Sequence, residues 1–536
     1  MSPSRNGVNN PMLLQAKNLT ISVQARTLLE IDLLEIFEGD RIGLVGKNGT
    51  GKSTLLHTLS GQLAPEKGSI TYHGTLELLP QLKLSDGHKS GGEITQAYIQ
   101  RAFSNQSSLL LADEPTTHLD TNHIEWVENT LKHWQGAYVV VSHDRKFLDV
   151  TCSKIWEIDQ GRLKEYKGNY QRFKEQKELE KQQQLQEYEK YQTKKQQLEN
   201  ALVLKSEKAA RATKKPKNTS ASEAKITGAK PYFAKKQKKL QQTAKAIETR
   251  LEKLDKVEKP YEETPIKMEL PQQDKIKGRK LIQVENLPGT IGSKTLWDKA
   301  NLLIHGGDKA AIIGANGTGK TTLIRKIIQN EEGIHLSPAC RMAYFKQDLS
   351  ILDPKKTILE NVQEGSVHDD TLVRTVLARL HFYREQVHKK VEVLSGGERV
   401  KVTLAKLFVS DCNTLILDEP TNFLDLEAME ALERLLNEYE GTIIFVSHDR
   451  RFVEKLATKV ISIENQKITY FEGSYEQFRN RKKVKTKDTL AEQKLVLETR
   501  ITDVLSRLSI EPSEALEKEF QALLKEKQNL SKSTDH

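Results

Sequence analysis

Two stretches of the chain carry the residue pattern of a phosphate-binding loop, GxxxxGK[ST], at Gly46–Thr54 and at Gly314–Thr322. In such a loop the glycines let backbone N–H groups curl around phosphate oxygens, and the following helix points its positive end at the same anion. The lysine would reach the β- and γ-phosphates, and the next hydroxyl would hold Mg²⁺. The predicted nucleotide-binding residues of these loops are Gly46, Lys47, Asn48, Gly49, Thr50, Gly51, Lys52, Ser53 and Thr54, and Gly314, Ala315, Asn316, Gly317, Thr318, Gly319, Lys320, Thr321 and Thr322, with Ser53 and Thr321 also predicted as Mg²⁺ ligands.

An acidic pair ends an apolar run in each half of the chain, Asp113 with Glu114 and Asp418 with Glu419. The aspartate is predicted to support Mg²⁺, and the glutamate is predicted to polarise the attacking water as a general base. An acidic pair at a strand end is more often a helix cap, but the phosphate-binding loops favour the catalytic interpretation.

Two histidines and two glutamines complete each set of polar residues. His143 and His448 follow the next apolar run at the same offset in both halves, so we predict that they contact the γ-phosphate rather than serve only the core. Gln81 and Gln347 are predicted to be metal or water ligands. The chemistry indicated by these residues together is hydrolysis of a nucleoside triphosphate.

The motifs occur twice in the same order, so the chain contains an internal repeat of one unit. Asp113 and Asp418 are 305 positions apart, whereas Gln81 and Gln347 are 266 apart. A block of 39 residues is therefore absent from the first copy before Ser90, and the second copy fills it with 348–394, including a helix-like run from 370 to 387. A loss confined to one place indicates a shortened subdomain.

Strands and helices must position these residues. The apolar runs 28–34, 41–45 and 310–313 are predicted as strands before the glycine-rich turns, and 109–112, 138–141, 414–417 and 442–446 as buried strands that end at the polar residues. Strands that alternate with helical patterns indicate an α/β fold with parallel strands at the centre of each sheet. We predict a first domain at 1–170, a helical linker at 171–280, a second domain at 281–478 and a C-terminal helical extension at 479–536.

The positive charge of the protein is concentrated in the linker. The 536 residues contain 83 Lys and Arg against 73 Asp and Glu, a net charge of +10, but residues 201–250 alone hold 14 basic and three acidic residues. Helical patterns at 171–213 and 231–256 predict an antiparallel coiled-coil hairpin with a basic turn between them. A solvated spacer is the plain alternative, whereas one-signed charge at a tip favours a polyanion such as RNA. The predicted RNA-binding residues are Lys214, Lys215, Lys217, Lys225 and Lys230.

Composition excludes several classes of protein. The mean hydropathy is −0.59, and no stretch approaches the roughly 18 consecutive apolar residues of a membrane helix. The first residues lack the apolar core of a signal peptide, and Cys152, Cys340 and Cys412 are too widely spaced for a metal site. We therefore expect a cytoplasmic protein with reduced thiols.

A further motif, Ser-Gly-Gly-Glu, precedes a helical pattern in each copy, at Ser90, Gly91, Gly92 and Glu93 and at Ser395, Gly396, Gly397 and Glu398. With the loops, the acidic pairs and the histidines, its position resembles the ATP-binding-cassette (ABC) ATPases. In that family the Ser-Gly-Gly signature of one cassette caps the ATP held by the loop of the other. The resemblance implies site one from 46–53 with 395–397, and site two from 314–321 with 90–92, each binding ATP and Mg²⁺. Preference for ATP over GTP is also an implication of the family, because 23–26 and 288–292 contain no aromatic residue to stack on the base.

Two cassettes joined by a basic helical hairpin resemble one branch of that family, the ABC-F proteins, and 211–218, 228–233, 394–402 and the shortened first copy resemble its Vga-type resistance members. The resemblance implies a monomer with an intramolecular cassette dimer, without membrane association. It would bind the tRNA exit site of the bacterial 70S ribosome, with contacts to 23S rRNA and P-site tRNA. The linker tip near the peptidyl-transferase centre would dislodge lincosamide, pleuromutilin and streptogramin A drugs, and ATP hydrolysis would drive release. The alternatives are a housekeeping ABC-F translation factor and, less favoured, the ATPase subunit of a drug exporter. Lys89 stands where the second signature has Leu394, so site two is expected to close less tightly.

Overall fold

The computed structural model describes residues 10–23, 26–81, 91–105, 107–117, 119–211, 229–257, 277–346 and 351–481, with 497, 500–501, 504, 517 and 520–525 from the C-terminal region. The chain forms two compact units, one of Met1–Glu165 with Ile266–His536 and one of Tyr166–Pro265. Both nucleotide-binding copies, here called the first and second cassettes, lie in the larger unit.

The first cassette is a nine-stranded sheet with helices between its parallel strands. The strands are β1 Met12–Val23, β2 Arg26–Phe37, β3 Arg41–Gly46, β4 Lys67–Tyr72, β5 Leu76–Leu79, β6 Leu109–Asp113, β7 Ala137–Val141, β8 Lys154–Asp159 and β9 Arg162–Lys167. The helices are Lys52–Leu59, Gly91–Ser104, Thr121–Lys132 and Arg145–Thr151. The strand order is β4-β1-β2-β9-β8-β3-β7-β6-β5, in which β5, β6, β7, β3 and β8 pair in parallel.

The smaller unit contains two long helices, Tyr170–Arg211 and Ala229–Glu252, which pack along each other. The 42-residue first helix covers every described residue of the predicted 171–213, and the second covers most of the predicted 231–256. At the start of the first helix, Phe173 packs edge-on against Tyr166, with ring centroids 4.9 Å apart. The packing of the two long helices along each other confirms the predicted helical hairpin.

The second cassette repeats the topology of the first. Its strands are β10 Lys280–Ile291, β11 Lys294–His305, β12 Lys309–Gly314, β13 Ile334–Leu336, β14 Met342–Phe345, β15 Thr414–Asp418, β16 Thr442–Val446, β17 Lys459–Glu464 and β18 Lys467–Glu472. Its helices are Lys320–Gln329, Ile358–Gln363, Asp370–Arg379, Gly396–Phe408, Leu426–Glu438 and Arg450–Leu456, with 3₁₀ turns at Arg384–His388 and Val391–Val393. Its strands form two sheets, with the orders β11-β10-β13 and β14-β15-β16-β12-β17-β18. Together these sheets have the strand order of the first cassette, except that β11 and β18 lie in different sheets, whereas their equivalents β2 and β9 are paired.

Central strands position the polar motifs. β6, β7 and β16 are buried along their whole length, and they read as continuous apolar runs because helices cover both faces of a parallel sheet. Each of these strands pairs in parallel with its neighbour, so their carboxyl ends lie at one edge. The predicted α/β fold with two cassettes is confirmed.

One predicted helix is interrupted. The run expected at 370–387 is α-helical only to Arg379, because His381 takes a left-handed conformation with φ of +67°. That break directs Phe382 into the core, where it is 3% exposed. A 3₁₀ turn then begins at Arg384.

The C-terminal extension contributes a small apolar cluster. Leu497 and Val504 pack with Leu523, and Ile501 and Phe520 join them. The described residues of the extension beyond 481 are helical. Within the described part of the chain, no helix is both long and apolar enough to cross a membrane.

Candidate nucleotide-binding sites

The first phosphate-binding loop joins the end of β3 to the helix Lys52–Leu59. Gly49 and Gly51 have φ of +79° and +97°, conformations that favour glycine, and these residues turn the backbone toward the helix N-terminus. Lys52 Nζ donates to the carbonyl oxygens of Gly46 at 2.8 Å and Lys47 at 3.0 Å, so the ammonium lies inside the loop. Burial lowers the pKa of Lys52, and the nearby Glu114 opposes that shift.

The second loop has the same geometry. Lys320 Nζ donates to the carbonyl oxygens of Gly314 at 2.9 Å and Ala315 at 3.0 Å. Gly319, at φ of +100°, approaches Trp297 and Leu296 so closely that a Cβ there would lie 2.6 Å from the indole. The glycine is therefore required both by its backbone conformation and by packing.

The predicted Mg²⁺ aspartates lie beside the loop hydroxyls, with Asp113 buried and Asp418 half-buried. Asp113 is 2% exposed, and neither of its carboxylate oxygens has a hydrogen-bond partner within the described residues. Burial raises the pKa of Asp113, whereas the adjacent Ser53 hydroxyl lowers it. Asp418 beside Thr321 shows the same balance. A buried hard oxygen ligand next to a hydroxyl fits a magnesium ion that takes its other ligands from phosphates and water.

The predicted general bases adopt an unusual backbone conformation. Glu114 and Glu419 have φ of +52° and +51°, in the left-handed region that non-glycine residues rarely occupy. Burial raises the pKa of Glu114 to about 8, an effect that Lys52 limits, and burial raises the pKa of Glu419 to about 7. Such strain repeated at two equivalent acidic positions is typical of functional sites.

Each glutamate faces the predicted histidine of its own cassette. His143 Nε2 lies 3.2 Å from Glu114 Oε1, and His448 Nε2 lies 3.4 Å from Glu419 Oε1. Burial and then the charge of Lys52 lower the pKa of His143 to about 3, so this imidazole is neutral at pH 7. A neutral ring can place one N–H toward a phosphate oxygen and one lone pair toward a donor.

The loop of the first cassette contacts the second cassette. Asn48 N donates to Asp425 Oδ2 at 3.0 Å, and Asn48 Nδ2 donates to the carbonyl oxygen of Phe423 at 2.9 Å. Lys47 forms an ion pair with Glu427 at 3.2 Å. A Cβ at Gly397 would lie 3.2 Å from Asn48 Nδ2, so the second signature faces the first loop. These contacts assemble site one from both cassettes.

The second signature begins the helix Gly396–Phe408. Ser395 is its N-cap, and its Oγ accepts a hydrogen bond from Glu398 N at 3.3 Å while the Glu398 carboxylate accepts one from Ser395 N at 2.9 Å. This reciprocal cap gives Glu398 a structural task beside its predicted place in the site. Leu394, immediately before the signature, is buried.

A cavity of about 620 Å³ between the cassettes lies beside the second phosphate-binding loop, where site two is predicted. Its lining includes Lys320 and Glu419 of the second cassette and Glu114 and Leu119 of the first. Asn316 N donates to Asp120 Oδ2 at 3.3 Å, the equivalent of the Asn48 contact in site one. The sites are thus built alike.

Several predicted residues have a limited structural description. Gln81 is exposed just after β5, and the helix Gly91–Ser104 begins at the first signature, which includes Gly92 and Glu93. Ser90, Gln347, Lys89, Lys214, Lys215, Lys217 and Lys225 lie outside the described residues, and Lys230 lies in the helix Ala229–Glu252. Their predicted roles stay predictions.

Sequence reasoning missed three residues at the sites. Asp120 and Asp425 cap their own helices and also accept from the opposite loop. Their identical offset of 305 positions in the repeat was the available signal. Ile291, at the end of β10, lines the cavity and is 57% exposed, so it offers an apolar surface where the strand has no aromatic residue.

Family profiles and relatives agree with this geometry. Two profiles described as ABC transporter match, one over residues 30–84 and 297–422 and the other over 156–225. The ribosome protection protein VmlR of Bacillus subtilis (strain 168) is 34% identical, over 97% of this chain and 98% of VmlR. The erythromycin resistance ATP-binding protein MsrA of Staphylococcus epidermidis is 36% identical, over 82% of this chain and 95% of MsrA.

Solved structures share the tandem arrangement. RNase-L Inhibitor superposes with a TM-score of 0.57 at 19% identity, covering 87% of this chain and 92% of that chain. The archaeal ribosome recycling factor aABCE1, in complex with the ribosomal stalk protein aP1, gives 0.58 at 18% identity over the same shares. At these identities the likeness establishes the fold. With the two matched cassettes and the near full-length similarity to VmlR, the chain belongs to the ABC-F family of ATPases and resembles its ribosome-protection members.

Proposed function

We propose that this ATPase confers antibiotic resistance by ribosome protection, with two composite ATP sites that open and close its cassettes. The observation that carries the proposal is the pair of cross-cassette contacts, from Asn48 to Asp425 and from Asn316 to Asp120. Each joins the phosphate-binding loop of one cassette to the other cassette, so nucleotide bound in a loop would favour closure. The names of VmlR and MsrA support the use of this motion in drug resistance.

The site residues divide the chemistry among themselves. The loop N–H groups and Lys52 or Lys320 hold the phosphates, and Asp113 or Asp418 with the loop hydroxyl would hold Mg²⁺, which would neutralise phosphate charge. Glu114 or Glu419 accepts a proton from the water that attacks the γ-phosphorus, and ADP leaves with the β-phosphate oxygen. The histidine beside each glutamate orients the γ-phosphate.

The hairpin is the proposed RNA-binding element. Its basic tip at Lys214, Lys215 and Lys217 would contact 23S rRNA after the protein enters the tRNA exit site beside P-site tRNA. We propose that the tip then dislodges lincosamide, pleuromutilin and streptogramin A drugs near the peptidyl-transferase centre, and that hydrolysis releases the protein. The 14 basic residues in 201–250 support this assignment, because phosphate contacts dominate RNA affinity.

The double variant Glu114→Gln and Glu419→Gln tests the proposal. It should bind ATP, fail to hydrolyse it and co-sediment with 70S ribosomes, because neither amide can accept the proton of the attacking water. Association with membranes instead of ribosomes would indicate the exporter alternative. Ribosome binding without any change in lincosamide, pleuromutilin or streptogramin A susceptibility, in a host that expresses the wild type, would indicate a housekeeping translation factor.

A second test separates the hairpin tip from its stem. Replacing Lys214, Lys215 and Lys217 by Gln should weaken ribosome binding and flatten its salt dependence by about 0.7 per lost phosphate contact, while nucleotide binding stays intact. The matched control replaces three exposed lysines of the stem, Lys181, Lys190 and Lys194. Equal losses in both triple variants would contradict a specific role of the tip.

A further inference from the structure

Two arginines are buried where the cassettes meet. Arg145 and Arg450 are 0% and 4% exposed, and each is the first residue of a short helix, Arg145–Thr151 or Arg450–Leu456. The N-terminal end of a helix carries positive partial charge, so the position disfavours a cation locally. Their place must therefore be explained by contacts with other elements.

The partners of each arginine come from the opposite cassette. Arg145 Nη2 pairs with Glu433, and it also lies 3.3 Å from Asp449 Oδ2. Arg450 Nη2 lies 2.6 Å from Glu128 Oε1 and its Nη1 lies 3.5 Å from Glu125 Oε1. Glu128 and Glu433 are 7% and 3% exposed, so both ion pairs lie away from solvent. A buried charge that lost its partner would be strongly unfavourable.

Each pair closes a ring around one ATP site. In site one, Arg145 follows the predicted phosphate-contacting His143 by two residues. Its partner Glu433 lies on the helix Leu426–Glu438, whose N-cap Asp425 accepts from the phosphate-binding loop of the first cassette. The arginine thus fixes the distance between the histidine loop and the aspartate that the other cassette supplies to the same site.

Site two repeats the ring with Arg450, which follows His448 by two residues. Its partner Glu128 lies on the helix Thr121–Lys132, which is capped by Asp120. The two rings differ in their further contacts, because Glu433 also pairs with Lys455 of its own cassette at 3.0 Å. Arg145 also contacts Asp449, the residue between His448 and Arg450, whereas the additional partner of Arg450 is the half-exposed Glu125.

We infer that Arg145 and Arg450 are positioning residues, which hold each histidine loop in register with the aspartate from the opposite cassette, and that the Arg145–Asp449 contact couples the two ATP sites. The inference rests on the proposed roles of the ATP sites and not on the ribosomal partner. It assigns Arg145 an effect on both sites and Arg450 an effect mainly on site two. The buried fork geometry of the guanidinium suits it to contact two carboxylates at once.

The test compares Arg145→Met, Glu433→Leu and their combination in the full-length protein. Arg145→Met should lower the Tm and lower kcat for ATP hydrolysis by about tenfold, with a smaller change in KM, because a misplaced histidine loop impairs the chemical step more than binding. The double variant should recover most of the Tm, because an apolar pair can replace a buried ion pair. The double variant should not recover kcat, because the ion pair that holds the histidine loop of the first cassette in register with Asp425 of the second is then absent.

The matched control is Lys146→Met. Lys146 is the next residue and also reaches the opposite cassette, at 2.6 Å from Glu454, but both side chains are partly exposed, at 25% and 33%. Its kcat should stay within about twofold of wild type, as expected of an exposed ion pair. If the double variant recovers kcat together with Tm, or if Lys146→Met loses as much activity as Arg145→Met, the arginine is only structural and the inference is wrong.

A second measurement does not depend on hydrolysis. In the Glu114→Gln and Glu419→Gln background, the distance between spin labels on the two cassettes should shorten with ATP, and Arg145→Met should reduce the shortened fraction, with Arg450→Met reducing it less. Equal closure in all three proteins would overturn the inference. Hydrolysis that persists in this background would contradict the proposed glutamate roles instead, so the two failures are distinguishable.

Discussion

A methyl group at Gly397 should shift site one toward its open state. A Cβ there would lie 2.6 Å from the carbonyl oxygen of Phe423 and 3.2 Å from Asn48 Nδ2. Both of those atoms belong to the hydrogen bond that joins the first loop to the second cassette, which is 2.9 Å long. The adjacent Gly396 supplies a matched control, because a Cβ there would meet nothing within 4 Å.

The size of the effect follows from the contacts that must break. The Phe423 carbonyl would have to retreat from 2.6 Å to an ordinary contact of at least 3.4 Å, which removes its bond from Asn48 and weakens the neighbouring bond to Asp425. Two hydrogen bonds at about 1 kcal/mol each give about 2 kcal/mol. That free energy corresponds to about a thirtyfold shift of site one toward the open state. Because Gly→Ala at a helical position favours folding by up to about 1 kcal/mol, it offsets only part of the clash with the Phe423 carbonyl, which belongs to the same cassette, and a small fall in the Tm is expected.

The assay measures the Tm, the ATP hydrolysis rate and the distance between spin labels on the two cassettes, for Gly397→Ala and Gly396→Ala. Gly397→Ala should lower the hydrolysis rate and reduce the closed fraction with only a small fall in the Tm, whereas Gly396→Ala should behave like the wild type. The reasoning is refuted if Gly397→Ala closes normally with ATP, or if both variants lose the same fraction of activity.

Three further predictions concern stability and the asymmetry of the sites. Gly289→Ala should lower the free energy of unfolding by about 3 kcal/mol or more in a denaturant titration, because a Cβ would lie 2.1 Å from the fully buried Trp297 ring; an unchanged midpoint would contradict the packing described for β10 and β11. Asp144→Asn should flatten the pH dependence of stability between about pH 4 and 6. Burial, reinforced by the charge of Asp449, raises the pKa of Asp144 from 3.8 to about 6, so the folded state binds more protons than the unfolded state between these pH values. The free energy of unfolding of the wild type therefore falls by up to about 3 kcal/mol as the pH rises through this window. The difference between the stability–pH curves of the wild type and the variant measures this loss. Asp425→Ala should reduce ATP hydrolysis more than Asp120→Ala, because the hydrogen bond that Asp425 accepts from the opposite loop is 3.0 Å long and that of Asp120 is 3.3 Å long. Each variant also loses a helix cap worth about 1 kcal/mol, so equal Tm values with unequal hydrolysis rates are expected. Equal hydrolysis rates would contradict the asymmetry of the two sites.

The sequence by itself determined the parts of the molecule that depend on local hydrogen bonding and on the spacing of apolar residues along the chain. The glycine and lysine spacing located both phosphate-binding loops, because a loop that cradles phosphate must turn within a few residues. Continuous apolar runs located the buried central strands, and the long run without Gly or Pro predicted the helix Tyr170–Arg211 to within one residue of its start. The resemblance to the ABC ATPases implied that the signature of one cassette faces the phosphate-binding loop of the other.

Only the tertiary structure decided how the two cassettes contact each other. Arg145 and Glu433 are separated by 288 positions, and no local periodicity relates a helix-initiating arginine to a glutamate on a distant helix. The same is true of Asp425, whose role as a helix cap is readable from the sequence but whose bond to Asn48 is not. The end of the helix at Arg379 likewise depends on the core, which takes up Phe382. Local chemistry is therefore written in the sequence, whereas the placement of buried charges across an interface follows from packing that brings distant segments together.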